Sequence, residues 1–266
     1  MEMINKIKQD LSTIFKTLDR AFKHEEDIVI FDIGSLNALE AIEFGKKFVN
    51  SKIYCFEPNP PSYKECLKNT YNIKNIEIVN KAIYTSEGSI DFYPINTEKT
   101  ITTHSDGNPG ASSLLKANPD YPYEKYEQNK ISVESTRVDK YCELNQIHSI
   151  DFAWIDVQGV GLTVLKSFGE FLTRLKVIHI EAENYEIYQG QEMFKEINEY
   201  LTSKGFLLIA GNSRTNYLDN FIFVRKVEIF KFMDILIKSR LNLLKYRIRF
   251  NLIPRLFNKI KRIFKL

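Results

Sequence analysis

The chain has 266 residues, 44% of them hydrophobic and 27% charged, with a net charge of +3. That is ordinary globular composition with room for one large core and an appendage, and it excludes a disordered chain. No run approaches the roughly 18 uncharged residues of a membrane-crossing helix. The cysteines Cys55, Cys66 and Cys142 are odd in number and lack CxxC spacing, which argues against a disulfide framework or a zinc site and for a reducing, cytoplasmic setting.

In the first 27 residues, apolar groups at Ile4, Ile7, Leu11, Ile14, Leu18 and Phe22 have the spacing of an amphipathic helix. The segment lacks the apolar core and small-residue cleavage site of a secretory signal. IVIFDIG, ending at Gly34, reads as a central strand buried on both faces. A helix over about 39–49, a strand KIYCFEP stopped by Pro58, a helix from Pro61 or Ser62 to Tyr71 and a third strand, IEIVNKAIY, follow. SIDFYPI is strand-like. Residues 96–130, rich in Asn, Pro, Thr, Ser, Gly and Tyr, form a loop of the length that is usually functional or mobile. ISVESTRV returns to strand alternation and VDKYCELNQ gives a short helix. The rhythm resumes with DFAWIDV, a helix over 162–175, KVIHIEAE, and a helix over 193–203 ended by Gly205. FLLIA and NFIFVRK make a closing hairpin. This alternation predicts a doubly wound, Rossmann-like α/β fold, a mostly parallel seven-stranded sheet with an antiparallel edge hairpin. The expected organisation is a leading helix over 1–27, an α/β domain over 28–226 and a tail over 227–266.

In such a sheet a ligand sits beyond the carboxyl ends of the strands, at the topological switch point. The first strand ends in Asp32, Gly34, Ser35 and Asn37, where Gly34 lets backbone approach a ligand. The second ends in Glu57 and Pro58, an acid placed to accept hydrogen bonds from ribose hydroxyls. Asp156 ends another strand, before Val157, Gln158 and Gly159. Taken alone, Asp156 also fits a helix cap. A dinucleotide site wants three glycines around a pyrophosphate. One glycine among acids suits S-adenosyl-L-methionine, which has no phosphate and carries a sulfonium, and disfavours a nicotinamide oxidoreductase. No His/Cys/carboxylate cluster has metal-ligand spacing. His179, inside VIHIEA, reads either as a base or as a sheet-face histidine. His104 and Tyr123 lie in the long loop, which is either an acceptor-binding lid or a packed crossover.

The tail from Val227 onward holds eleven Lys/Arg against Glu228 and Asp234, a net +9, while the preceding 226 residues, with 26 basic and 32 acidic groups, carry −6. An acidic body does not fit a nucleic-acid partner. Apolar and basic residues interleave at helical spacing in the tail, with a break expected at Pro254. That pattern suits an inner-leaflet membrane surface, a partner enzyme, or packing within the protein.

Over residues 28–225 the sequence resembles the FkbM-type methyltransferases. FDIGSLNALEAIEF stands for the family's first turn, YCFEPNP for its acidic second strand, and GASSLLK for a Ser-Ser-Leu element. WIDVQGVGLTVLKSF resembles its I-D-x-[EQ]-G-x-E signature, and IHIEAENYEIYQGQ its fifth strand. The resemblance implies S-adenosyl-L-methionine held by Asp32, Gly34, Ser35, Asn37, Glu57 and residues near Ala82, and O-methylation, often of sugars or polyketide hydroxyls. Two positions depart from the pattern. Ala38 replaces a glycine, and Gly161 replaces a glutamate whose contribution is either lost or supplied by Glu181 or Glu183. The expected activity is methylation of a small-molecule or glycan hydroxyl, with surface-polysaccharide assembly as the setting and Asp156 as base. The alternative is a non-catalytic scaffold or binding module of the same fold.

Overall fold

The computed structural model describes residues 11–211 and 218–246. Residues 1–10 of the expected leading helix, and the tail beyond 246 with its Pro254 break, lie outside the described residues.

Strands β1 (Val29–Ile33), β2 (Lys52–Phe56) and β3 (Ile76–Val79) form one half of the main sheet. Strands β7 (Phe152–Ile155), β8 (Val177–Glu183), β9 (Phe206–Ala210) and β10 (Leu218–Arg225) form the other. The order is β3-β2-β1-β7-β8-β10-β9. The first five strands pair in parallel, while β10 is antiparallel to both β8 and β9. The fold is therefore a doubly wound, mostly parallel seven-stranded sheet closed by an edge hairpin. Within that hairpin the reversed strand lies one place in from the edge.

Helices cover both faces because the strands are apolar on both. Against one face pack α4 (Val138–Leu144), α5 (Gly161–Ser167) and α6 (Phe194–Ser203), around Phe31, Ile33, Ile155, Ile178 and Ile180. Against the other pack α1 (Ser12–Ala21), α2 (Leu39–Lys47) and α3 (Pro60–Asn69), around Ile30, Ile53, Phe152 and Val177. Leu11, Ile14, Leu18 and Phe22 are buried there, so α1 is seated on the domain core. Proline opens α3, where a missing N–H costs nothing. Gly205 closes α6 at φ +83°.

Two segments differ from the sequence reading. IEIVNKAIY is not one strand. After β3 the chain turns at Asn80, whose amide donates to the Glu57 carbonyl (2.9 Å), and Ala82–Ile83 (β4) joins a second sheet. That sheet has the order β4-β6-β5, with β5 at Gly88–Phe92 and β6 at Ile131–Thr136. The helix expected over 162–175 stops at Ser167 and continues as a 3-10 turn, Gly169–Thr173, because Gly169 takes φ +52°. The last helix among the described residues, α7 (Met233–Tyr246), follows a 3-10 segment, Lys226–Phe232. The three cysteines are free and buried.

Candidate active site

The carboxyl ends of β1, β2 and β7 meet where the sheet order reverses. The chain leaves β1 through Gly34 at φ +87°, and Gly34 N–H donates to the Phe56 carbonyl (2.9 Å). Leu36 and Ala38 also take positive φ, 49° and 60°, a conformation that costs a side-chain-bearing residue on the order of 1 kcal/mol or more. The strained conformation of Leu36 is held in place by Glu57. Its carboxylate accepts the N–H of Leu36 and the N–H of Asn59, both at 2.8 Å. Burial lifts the Glu57 carboxyl to about 7, against the pull of those two amides.

A cleft of about 620 Å3, mouth included, opens beside this turn. Gly34, Leu36, Glu57, Pro58, Asn59, Ala82 and Asp156 line it, with apolar walls from Phe56, Ile83, Phe92, Leu114 and Val157. The second sheet and the long loop thus supply one wall and the strand ends the other. Asn59 Oδ1 is buried there with no hydrogen-bond partner, an acceptor awaiting a donor from a ligand.

Of the residues expected at the site, Gly34, Glu57, Pro58, Ala82 and Asp156 come together in this lining. Asp32, Ser35 and Asn37 do not. Strand alternation turns Asp32 to the α2 face, level with Cys55 and Trp154 on the neighbouring strands. Its carboxylate is buried without a partner in standard hydrogen-bond geometry. Burial lifts it to about 8 although the Ser35 hydroxyl and Cys55 thiol face it. The Ser35 hydroxyl donates to the Asp32 carbonyl (3.0 Å), and Asn37 Oδ1 accepts the Leu39 N–H at the start of α2 (3.2 Å). These three shape the turn from beneath.

At the edge of the cleft, where Asp156 lines it, lies a group of carboxylates from the ends of β7 and β8. Gln158, at φ +49°, donates its side-chain amide to Asp156 Oδ1 and to Glu181 Oε1, each at 2.6 Å. Burial raises both carboxyls, while the Gln158 amide pulls each back toward its charged form. Glu183, next after Glu181 on the same face of β8, is lifted to about 8 by burial. Among the described residues no group of His, Cys, Asp or Glu has the arrangement of a metal site. Asp156 does not cap α5: Glu192 accepts the Thr163 N–H in its first turn (2.8 Å). A Cβ at Gly161 would meet Ile180 Cδ1 at 2.9 Å and Ile197 Cδ1 at 3.3 Å, so this position faces the core, where a glutamate would not reach the cleft.

The long loop is tied down. Ser113 donates its hydroxyl to the Gln158 carbonyl (2.6 Å), and the Tyr188 hydroxyl stands 2.8 Å from the Ala111 carbonyl and 3.0 Å from Gln158 Oε1. Bridges Ile95 to Gln128 and Ile101 to Lys125 carry the middle of the loop away from its anchors. His104 and Tyr123, offered by the lid reading as acceptor contacts, are exposed and absent from the cleft lining. His179 is buried, stacked on Trp154 at 3.5 Å and 4°. Burial lowers it to about 3, so it is a neutral sheet-face residue. Sequence reasoning missed Leu36, Asn59, the bridging role of Gln158 and the anchors Ser113 and Tyr188. The Asn after Glu-Pro and the second Ser of GASSLLK were the available signals.

A family model described as the methyltransferase FkbM domain matches residues 32–208. The 2-O-methyltransferase NoeI of Sinorhizobium fredii (strain NBRC 101917 / NGR234) is 30% identical over 184 residues, which is 69% of this chain and 74% of that protein. Two solved structures are also similar. Aeropyrum pernix fibrillarin with bound S-adenosyl-L-methionine gives a TM-score of 0.45 at 11% identity, over 80% of this chain and 74% of that one. The precorrin-6y C5,15-methyltransferase of Geobacter metallireducens gives 0.43 at 15% identity, over 79% and 85%. The single-glycine turn, the acid after β2 and the orphaned acceptor of Asn59 fit an adenosyl ligand without phosphates. The chain belongs to the FkbM family and is an S-adenosylmethionine-dependent methyltransferase.

Proposed function

We propose that this methyltransferase methylates a hydroxyl of a saccharide, in the assembly of a glycan or surface polysaccharide. The observation that carries the reading is the half-buried Asp156–Gln158–Glu181 group at the edge of the cleft. An alcohol is a poor nucleophile until its proton is taken, and a carboxylate made more basic by burial is suited to that. The relative's description as a 2-O-methyltransferase supports an oxygen acceptor.

In this reading Gly34, Leu36, Glu57, Pro58, Asn59 and Ala82 hold the cofactor, with Glu57 and Asn59 accepting hydrogen bonds from its hydroxyl and amino groups. Asp32, Ser35 and Asn37 support the turn. Bound S-adenosyl-L-methionine supplies an electrophilic methyl on a sulfonium. Asp156 accepts the acceptor's hydroxyl proton as the new O–CH3 bond forms and the S–CH3 bond breaks, and the proton stays on the Asp156–Glu181 pair. Gln158 fixes both carboxylates, and Glu183 lies beside them on the same strand face.

The test is turnover with a panel of mono- and oligosaccharides, read as S-adenosylhomocysteine formed and as a methyl ether on the product. Cofactor binding by calorimetry with no methyl ether on any sugar sinks the saccharide assignment. If Asp156→Asn then behaves as the parent in every assay, the non-catalytic scaffold replaces it.

A further inference from the structure

The segment after β10 presents two faces. Ile229, Phe232, Ile235 and Leu236 pack against the core beside α1. Opposite them Val227 (80% exposed), Phe230 (86%), Met233, Ile237 and Leu241 stand in solvent. Their intervals are three, three, four and four. In a 3-10 segment residues three apart stack, and in an α-helix residues four apart share a face, so the five form one stripe running from the 3-10 segment along α7. Apolar surface of this extent on a folded domain marks an interaction site.

The surrounding charge indicates what covers it. Lys226 and Arg240 are exposed at the two ends of the stripe. The two acids of the segment are neutralised locally, Glu228 by Lys231 at 2.5 Å and Asp234 by Arg20. The 40 residues from Val227 carry a net +9 in sequence against a body of −6. Apolar side chains inserted among headgroups, with cations beside them, are the chemistry of binding to an anionic bilayer surface. We infer that the Val227–Phe230–Met233–Ile237–Leu241 stripe is the face on which this enzyme docks to an anionic membrane. This docking is independent of the choice of acceptor. It places the domain at a surface, and no helix among the described residues is long and apolar enough to cross one.

The experiment is flotation of the full chain with phosphatidylcholine vesicles, with and without phosphatidylglycerol. The comparison is with a Phe230→Ser, Ile237→Ser double variant. Both positions are exposed, so the variant keeps the parent's S-adenosylhomocysteine affinity, which certifies the fold. The parent is expected to float with the anionic vesicles only and to be released by salt, and the double variant to lose about ten-fold in bound fraction. Equal flotation of parent and variant overturns the inference, as does equal binding to uncharged vesicles. Failure to float at all, with a parent dimer that the substitutions convert to monomer, also overturns it and makes the stripe an interface between two copies.

Discussion

Gly34 lies so close to Asp156 that a Cβ added to it would fall 1.7 Å from the Asp156 carbonyl oxygen. Glycine is needed there twice over, for this approach and for φ +87°. Gly34→Ala must push β1 from β7 at the mouth of the cleft. The expected result is a loss of about 2–3 kcal/mol of stability and at least about ten-fold in S-adenosylhomocysteine affinity. Denaturation and calorimetry measure both, and a variant with parental affinity refutes this account of the turn.

Asp156→Asn keeps the shape and removes the base. We expect kcat to fall by about 100-fold or more while cofactor affinity stays within about three-fold. Gln158→Asn tests positioning separately, since asparagine tolerates the positive φ but is too short to span both carboxylates. Removing the amide leaves the pair's charge less stabilised, so the acidic limb of the kcat–pH profile should move to higher pH. A purely structural role would lower the melting temperature and leave that limb in place.

Burial lifts Asp32 to about 8, Glu57 to about 7 and Glu183 to about 8. Each therefore holds its proton more tightly folded than unfolded. Stability without cofactor is fully present below the ordinary carboxylate range and declines as pH rises toward 7–8, by up to about 1.4 kcal/mol per pH unit for each group. A cationic ligand entering beside Glu57 favours the ionised carboxylate, so S-adenosyl-L-methionine should bind more tightly at pH 8 than at about pH 6 and release protons. Calorimetry in buffers of different ionisation enthalpy reads that release. Identical binding enthalpies in all buffers contradict it.

The Tyr188 hydroxyl is one of two that anchor the long loop, beside that of Ser113. Tyr188→Phe removes the contacts to the Ala111 carbonyl and Gln158 Oε1. A cost of about 1–2 kcal/mol is expected, with faster proteolysis inside residues 96–130. Unchanged cleavage would show that the other ties suffice.

His179 has one buried ring nitrogen without a partner and lies flat on Trp154. A phenyl ring preserves the stacking and removes the unsatisfied atom. His179→Phe should change stability by less than about 1.5 kcal/mol and leave kcat within about two-fold. A large loss of activity with a normal melting curve would return the histidine to the list of bases.

Much of the fold was legible in the residues. A near-continuous apolar run such as IVIFDIG suits a strand covered on both faces, and helices spaced between such strands imply parallel pairing. The turn at Gly34 and the acid at Glu57 were readable because each sits one step past such a run. The side chains that complete the site were not. Strand parity puts Asp32 beneath the turn and Ile33 toward the cleft, but which face opens depends on where the second sheet and the loop close over it.

Sequence by itself determined the family, the mostly parallel sheet with its edge hairpin and the identity of the Asp-x-Gln turn, because local spacing and motif chemistry survive without knowledge of contacts. Only the tertiary structure decided that Gln158 joins Asp156 to Glu181, residues 25 positions apart at the limits of that group. It also decided that Gly161 belongs to packing and that the tail's first turns divide into a buried and an exposed face. The physical reason is common to all three. Hydrogen bonds and burial between distant segments depend on how neighbouring elements pack, and no periodicity within one segment encodes its neighbour's position.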